Sequence, residues 1–216
     1  MAKCIIDYVK DKCSKKTSNY HHGNLKEELL QQAVDIIHTE GTDALTLSAL
    51  SKRLGTSRSA IYRHFSSKDD LMQNVIIYGF ELFDNKIASV FLQKEKSVLD
   101  RFYIMGKEYI NFAMEHPNLY RILFGERFQV LREETCDIED EEQANGFHAL
   151  VGLLVEGQEN GILKKEDPML QAQIIHSMVH GLASLYIDGH IHVKDYIDDL
   201  YELSYKTLTE GLTVQH

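Results

Sequence analysis

The stretch Leu54-Gly55-Thr56-Ser57-Arg58-Ser59-Ala60-Ile61-Tyr62-Arg63-His64-Phe65-Ser66-Ser67-Lys68-Asp69-Asp70-Leu71 decides how this chain reads. Gly55 stops one helix and Ser57 is placed to cap the next. A further helix starts after Phe65, capped by Ser67, with Asp69 and Asp70 in its first turn, where negative charge meets the positive helix end. So few residues separate these helices that little geometric freedom remains. The middle helix carries Arg58, Ser59, Tyr62, Arg63 and His64, while Ile61 and Phe65 point inward. That surface suits base edges and phosphates, and the arrangement is a helix-turn-helix.

Upstream, Asn24 and Glu27 form a capping-box pattern, and Leu25, Leu29, Ala33, Ile36 and Ile37 make an apolar stripe that ends at Gly41. Thr46 caps a second helix from Leu47 to Leu54, with Leu47, Leu50 and Leu54 on one face, and the third runs from Arg58 to Phe65. Residues 1–19, with Lys3, Lys10, Lys12, Lys15 and Lys16, read as a flexible basic arm. Downstream, helices are expected over 67–92, 97–115 (capped by Ser97 with Asp100), 117–124, 142–159, 168–188 and 194–210. Residues 132–142 read as acidic and irregular. The expectation is an all-α chain of about nine helices. It divides into the arm at 1–19, a helix-turn-helix domain at 20–66 and a larger helical domain at 67–216.

The composition agrees. Of 216 residues, 44% are hydrophobic and 26% charged, an ordinary globular balance, and only 2 prolines interrupt it. Residues 1–66 carry 10 Lys and Arg against 7 Asp and Glu, and the remainder 13 against 26. A basic end on an acidic body fits a chain that offers one end to a polyanion. Cys4, Cys13 and Cys136 are odd in number and form no Cys-x-x-Cys, which fits a reduced, cytoplasmic setting. Cys4-Ile5-Ile6 is too short for a signal peptide, and no apolar run approaches the roughly 20 residues of a membrane span. There is no nucleophile elbow, no Gly-rich phosphate loop and no paired carboxylates in an apolar setting, so an enzyme is not expected and neither is a cofactor.

The residues Ala33, Gly41, Leu45-Thr46-Leu47, Leu50, Leu54-Gly55 and Ile61-Tyr62-Arg63-His64-Phe65, followed by Lys68 and Leu71, resemble the TetR family of bacterial transcriptional regulators over about residues 20–78. Further on, His116-Pro117-Asn118-Leu119-Tyr120-Arg121-Ile122-Leu123-Phe124-Gly125 and Val179-His180-Gly181-Leu182-Ala183-Ser184-Leu185 resemble a group of TetR C-terminal domains marked by a Trp-x-x-x-His-Gly run. This chain departs at the Trp, where it has His176.

The resemblance implies that the third helix enters the major groove of double-stranded DNA, on a palindromic operator, as a repressor released by an unknown small-molecule effector. A TetR-like activator or a ligand-independent DNA-binding protein is the alternative. Arg58 and Ser59 would face base edges, where an Arg can grip guanine with two bonds. Tyr62, Arg63, His64, Thr56 and Ser57 complete the candidate contacts, and Lys68, Thr46 and Ser48 would hold phosphates from helix starts. A homodimer is expected through the last two helices, from Leu170, Ile174, Ile175, Met178 and Leu182 and from Ile197, Leu200, Tyr201, Leu203, Tyr205 and Leu208. Candidate effector contacts are Phe83, Tyr103, Tyr109, Phe112, Phe147, His148, His176 and His180. His176 and His180 share one helix face at i, i+4, and His148 or His116 would be the third ligand of a Zn²⁺ site. With no cysteine or placed acid beside them, no metal is expected there.

Overall fold

Thr46 opens a helix because its hydroxyl accepts the Ala49 amide at 3.0 Å, and Ser57 does the same for Ala60 at 3.2 Å. These caps fix α2 (Leu47–Arg53) and α3 (Arg58–Tyr62), which follow α1 (Leu25–Glu40). Gly55, at φ 62°, makes the turn between α2 and α3 in the left-handed region that favours glycine. The computed structural model describes residues 25–135, 146–191 and 196–214. The basic arm, the Asn24 cap, Cys4, Cys13 and Cys136 lie outside those residues.

The remaining helices are α4 (Lys68–Phe91), α5 (Val98–Glu115), α6 (Pro117–Phe124), α7 (Gln129–Thr135), α8 (Gly146–Glu159), α9 (Pro168–Ile187) and α10 (Ile197–Leu212), with single 3-10 turns at Thr42–Ala44 and Glu126–Phe128. Among the described residues every regular element is helical, save one bridge between Leu163 and Thr213. The all-α expectation holds, with two corrections. α7 is a tenth helix where irregular chain was expected from residue 132, because Arg132 reaches back to the carbonyls of Ile122 and Gly125 and folds the segment onto the end of α6. And α3 stops at Tyr62 rather than Phe65, where the His64 amide takes the Ile61 carbonyl three residues back, a tighter turn than the α-helical one.

The chain packs as two units. The head unit holds residues 25–82 and 116–135. Its core is Leu29, Ala33, Ile36 and Ile37 of α1 with Leu45, Leu50, Ile61, Phe65, Leu71 and Val75, all buried. α6 packs on α1, where Asn118 donates to the Ile37 carbonyl at 2.9 Å. It also packs on α4, where Leu119 and Leu123 press against Gly79. The body unit holds residues 83–115, 146–191 and 196–214. There α9 lies on α5, α8 and α10, and α5 also meets α8. Buried Arg101 of α5 ties this unit together: its guanidinium takes both oxygens of Glu156 on α8 and donates to the Phe91 carbonyl at 3.1 Å. α4 begins at Lys68; its residues 68–82 belong to the head unit and 83–91 to the body unit.

Candidate nucleic-acid interface and sensing cluster

On the head unit, Thr46, Ser48, Ser57, Arg58, Ser59, Tyr62, Arg63 and Lys68 are all exposed, while Thr56 and His64 are half-buried. Tyr62 is 56% exposed, far above the usual for an aromatic ring, while the intervening Ile61 is buried. Alternation of this kind follows from α3 having one face on the core and one in solvent. Ser57 and Ser59 share a hydrogen bond between hydroxyls at 2.9 Å. Arg58 does not wave freely: its Nη2 donates to Ser48 Oγ on α2 at 2.9 Å. The sequence placed Ser48 only as a phosphate contact and gave no sign that it holds Arg58, because the two sit on different helices.

The start of α4 carries a cap built on both sides. Ser67 Oγ accepts the Asp70 amide at 3.0 Å, and the Asp70 carboxylate takes the Ser66 amide at 2.7 Å and its hydroxyl at 2.9 Å. The Ser66 bonds hold the Asp70 carboxyl below its ordinary range. Lys68 therefore projects from a fixed helix start. Near it, the Arg127 guanidinium pairs with Asp43 and lowers that carboxyl, with a smaller contribution from Lys68. The sequence alone did not join residue 127 to the head.

In the body unit, six of the eight candidate effector residues come together. Phe83 of α4 meets Tyr109 and Phe112 of α5 edge-on, with ring centroids 5.1 Å apart in each pair. Tyr109 and Phe147 flank His176 at 5.7 and 5.9 Å. Tyr109 Oη lies 3.2 Å from His176 Nε2 and 3.2 Å from His180 Nδ1. Burial, then the charge of the neighbouring His180, lowers the His176 pKa, and burial lowers that of His180. Both rings are therefore held in the neutral form, one hydroxyl between them, inside an aromatic surround. His148 meets the edge of Phe147 at 6.5 Å.

Tyr103 stands elsewhere, on the face of α5 turned to α10. Its hydroxyl binds Glu202, which, ahead of burial, pushes the phenol up to about 12. It lines a shallow groove of about 260 Å³ with Lys96, Asp100 and Ile104. Its carbonyl receives the hydroxyl of Tyr201 at 2.6 Å. Tyr201 is buried against Gly106, and Ile197 at the start of α10 and Ile175 of α9 are buried as well. These three side chains belong to the core of their own subunit, not to a partner. Leu170 (66% exposed) and Ile174 (61%) do face solvent, with Leu203 and Leu185. Met178 and Leu182 are half-buried.

Comparison with known proteins joins the two halves. A family profile described as "Bacterial regulatory proteins, tetR family" matches residues 29–75, and one described as "Tetracyclin repressor-like, C-terminal domain" matches residues 102–208. The nucleoid occlusion factor SlmA of Vibrio cholerae is 32% identical over 115 residues, 53% of this chain and 58% of that protein, so the likeness spans little more than half of the relative. A protein of unknown function from Rhodococcus sp. RHA1 superposes with a TM-score of 0.76 at 23% identity, over 91% of this chain and 100% of that one. The fatty acid degradation regulator FadR of Bacillus halodurans superposes with a TM-score of 0.66 at 19% identity, over 89% and 98%. Those two likenesses speak to the fold. No helix among the described residues is long and apolar enough to cross a membrane. With a helix-turn-helix head, a helical body and profiles matching both, the chain belongs to the TetR family of bacterial regulatory proteins.

Proposed function

We propose that this chain is a ligand-responsive repressor that acts in the cytoplasm, as a homodimer, on a palindromic operator. The observation that carries the DNA half is the exposed row Arg58, Ser59, Tyr62 and Arg63 on a helix capped at Ser57, with Arg58 braced by Ser48. Arg58 reads base edges, Tyr62 and His64 approach the sugar-phosphate backbone, and Thr46 and Lys68 take phosphates from helix starts. One such head makes few contacts, so useful affinity calls for two. Leu170, Ile174, Met178, Leu182 and Leu185 recur every three or four residues along α9, and this apolar stripe supports pairing with a second copy through α9 and α10.

The effector half rests on the cluster of Tyr109, His176 and His180 among Phe83, Phe112 and Phe147. α4 contributes Lys68 to the DNA-facing side and Phe83 to this cluster. An effector that prefers one conformer of α4 lowers operator affinity by that preference. A second reading is a DNA-binding protein that works without any effector, favoured by the likeness to a nucleoid occlusion factor, a name that carries no effector.

A gel shift with the DNA upstream of the chain's own gene, repeated across a metabolite and antibiotic panel scored by thermal shift, tests the proposal. It expects a protected palindrome and at least one compound that both raises the melting temperature and releases the DNA. Absence of any DNA complex overturns it. DNA binding that no stabilising compound relieves transfers the case to the second reading.

A further inference from the structure

We propose that Tyr109 Oη, His176 Nε2 and His180 Nδ1 form a binding site for a late first-row divalent cation of the Cu²⁺ or Zn²⁺ type. For the histidine pair on α9 the sequence offers His148 or His116 as a third ligand. In the structure His148 sits at the edge of Phe147 and His116 faces His38 in the head unit. The third donor comes instead from α5. The Tyr109 oxygen is 3.2 Å from each of the two imidazole nitrogens. Donors held at about 2.0–2.1 Å by one tetrahedral ion stand about 3.3–3.4 Å apart, so these contacts are close to the edges of such a coordination sphere. The same two contacts also serve as hydrogen bonds, the phenol oxygen donating to one imidazole and accepting from the N–H of the other.

The surroundings suit an ion as well. Phe83, Phe112 and Phe147 form an apolar shell, which sharpens the attraction between a cation and a phenolate. Ser184 Oγ lies 3.4 Å from His180 Nε2 and orients that ring with Nδ1 toward Tyr109. Imidazole with an oxygen donor suits copper and zinc, and copper stands highest in affinity among such ions. On binding, the cation replaces the phenol proton, which leaves to solvent, and no electron moves. Among the described residues no three of His, Cys, Asp and Glu cluster to hold a metal, so the tyrosine is what completes the set.

The inference leans on the effector reading only for its consequence at DNA; the ion site itself does not need that reading. The full chain, stripped by dialysis against EDTA, is titrated with Cu²⁺ while the visible spectrum is recorded. One equivalent is expected to raise a tyrosinate-to-copper charge-transfer band. Tyr109→Phe should abolish the band, His176→Gln and His180→Gln should each weaken binding tenfold or more, and Ser184→Ala, which leaves all three ligands, by about 10–100-fold. The exposed His190→Gln should change nothing. Far-UV circular dichroism checks that each variant is folded. No band, a band that survives Tyr109→Phe, or affinity unchanged in both histidine variants overturns the site and leaves a hydrogen-bonded core trio. Ion binding without any change in operator affinity keeps the site and removes the ion as effector. An organic compound that releases DNA from a chain that binds no copper does the reverse.

Discussion

Replacing Glu156 with alanine should cost about 3 kcal/mol of folding stability, the lower end of the 3–5 kcal/mol seen when one partner of a buried ion pair is removed. The structure sets the size. Arg101 is 1% exposed, and its two terminal nitrogens both rest on the Glu156 carboxylate. Without Glu156 the guanidinium keeps the Phe91 carbonyl, its Nε still has no acceptor, and the cation Lys94, which shared the same carboxylate, has lost its partner too. Glu156 itself is a quarter exposed, so water softens the loss and the lower figure applies. For a chain of this size that is a fall in melting temperature of about 6–12 °C, measured by calorimetry at one fixed protein concentration. Glu156→Gln keeps an acceptor and should lose about half as much. The pH dependence follows. Burial pushes the Glu156 carboxyl up, but the hydrogen bonds and charges of Arg101 and Lys94 outweigh it and hold the group below its ordinary range. Its contribution is therefore complete above about pH 4.3 and is lost as the pH falls through the lower folded value. Glu156→Ala should flatten that acid limb. A variant melting within about 2 °C of the parent would show that the pair does not hold α5 to α8.

Gly106→Ala should loosen α10, because a Cβ there meets the Tyr201 hydroxyl at 2.4 Å and evicts it from the Tyr103 carbonyl. Overpacking and the lost bond together cost about 2–4 kcal/mol, read as a melting shift, and an unchanged melting curve contradicts the packing described. Stability should also decline as the pH falls below about 6.5, since burial lowers both His176 and His180 and unfolding lets them take up protons. The double variant His176→Gln/His180→Gln should show a shallower decline in a melting series from neutral to mildly acidic pH, and an identical slope counts against the assignment. Leu170→Glu with Ile174→Glu should yield monomers in sedimentation velocity, because both side chains are on the exposed stripe of α9 and charges there cannot be buried against a second copy. Dimers that persist would move the interface elsewhere.

Local chemistry made the head legible in the sequence. Thr46, Ser57 and Ser67 each cap the helix their position announces, and Gly55 turns the chain where a left-handed residue is needed. Elements joined by distant residues were not legible. Arg132 folds α7 back through carbonyls of another helix, and Asn118 fastens α6 to α1 through a contact 81 positions away. The same holds for the candidate sites. Helical spacing places His176 and His180 together, but only tertiary packing brings Tyr109 between them and sends Tyr103 to Glu202 on α10. Apolar residues of α9 and α10 read alike in sequence, and the fold alone separates buried Ile175, Ile197 and Tyr201 from exposed Leu170 and Ile174.

The central claim is that α3 reads DNA through Arg58. Its direct test is equilibrium binding of the full chain to a labelled operator by fluorescence anisotropy at fixed salt, for the parent and for Arg58→Ala, with the matched operator and with single base changes. Arg58→Ala should lose about 1–3 kcal/mol, roughly 5- to 150-fold, and should no longer distinguish bases at the position it contacts. Equal affinity and undiminished discrimination in that variant would contradict the account.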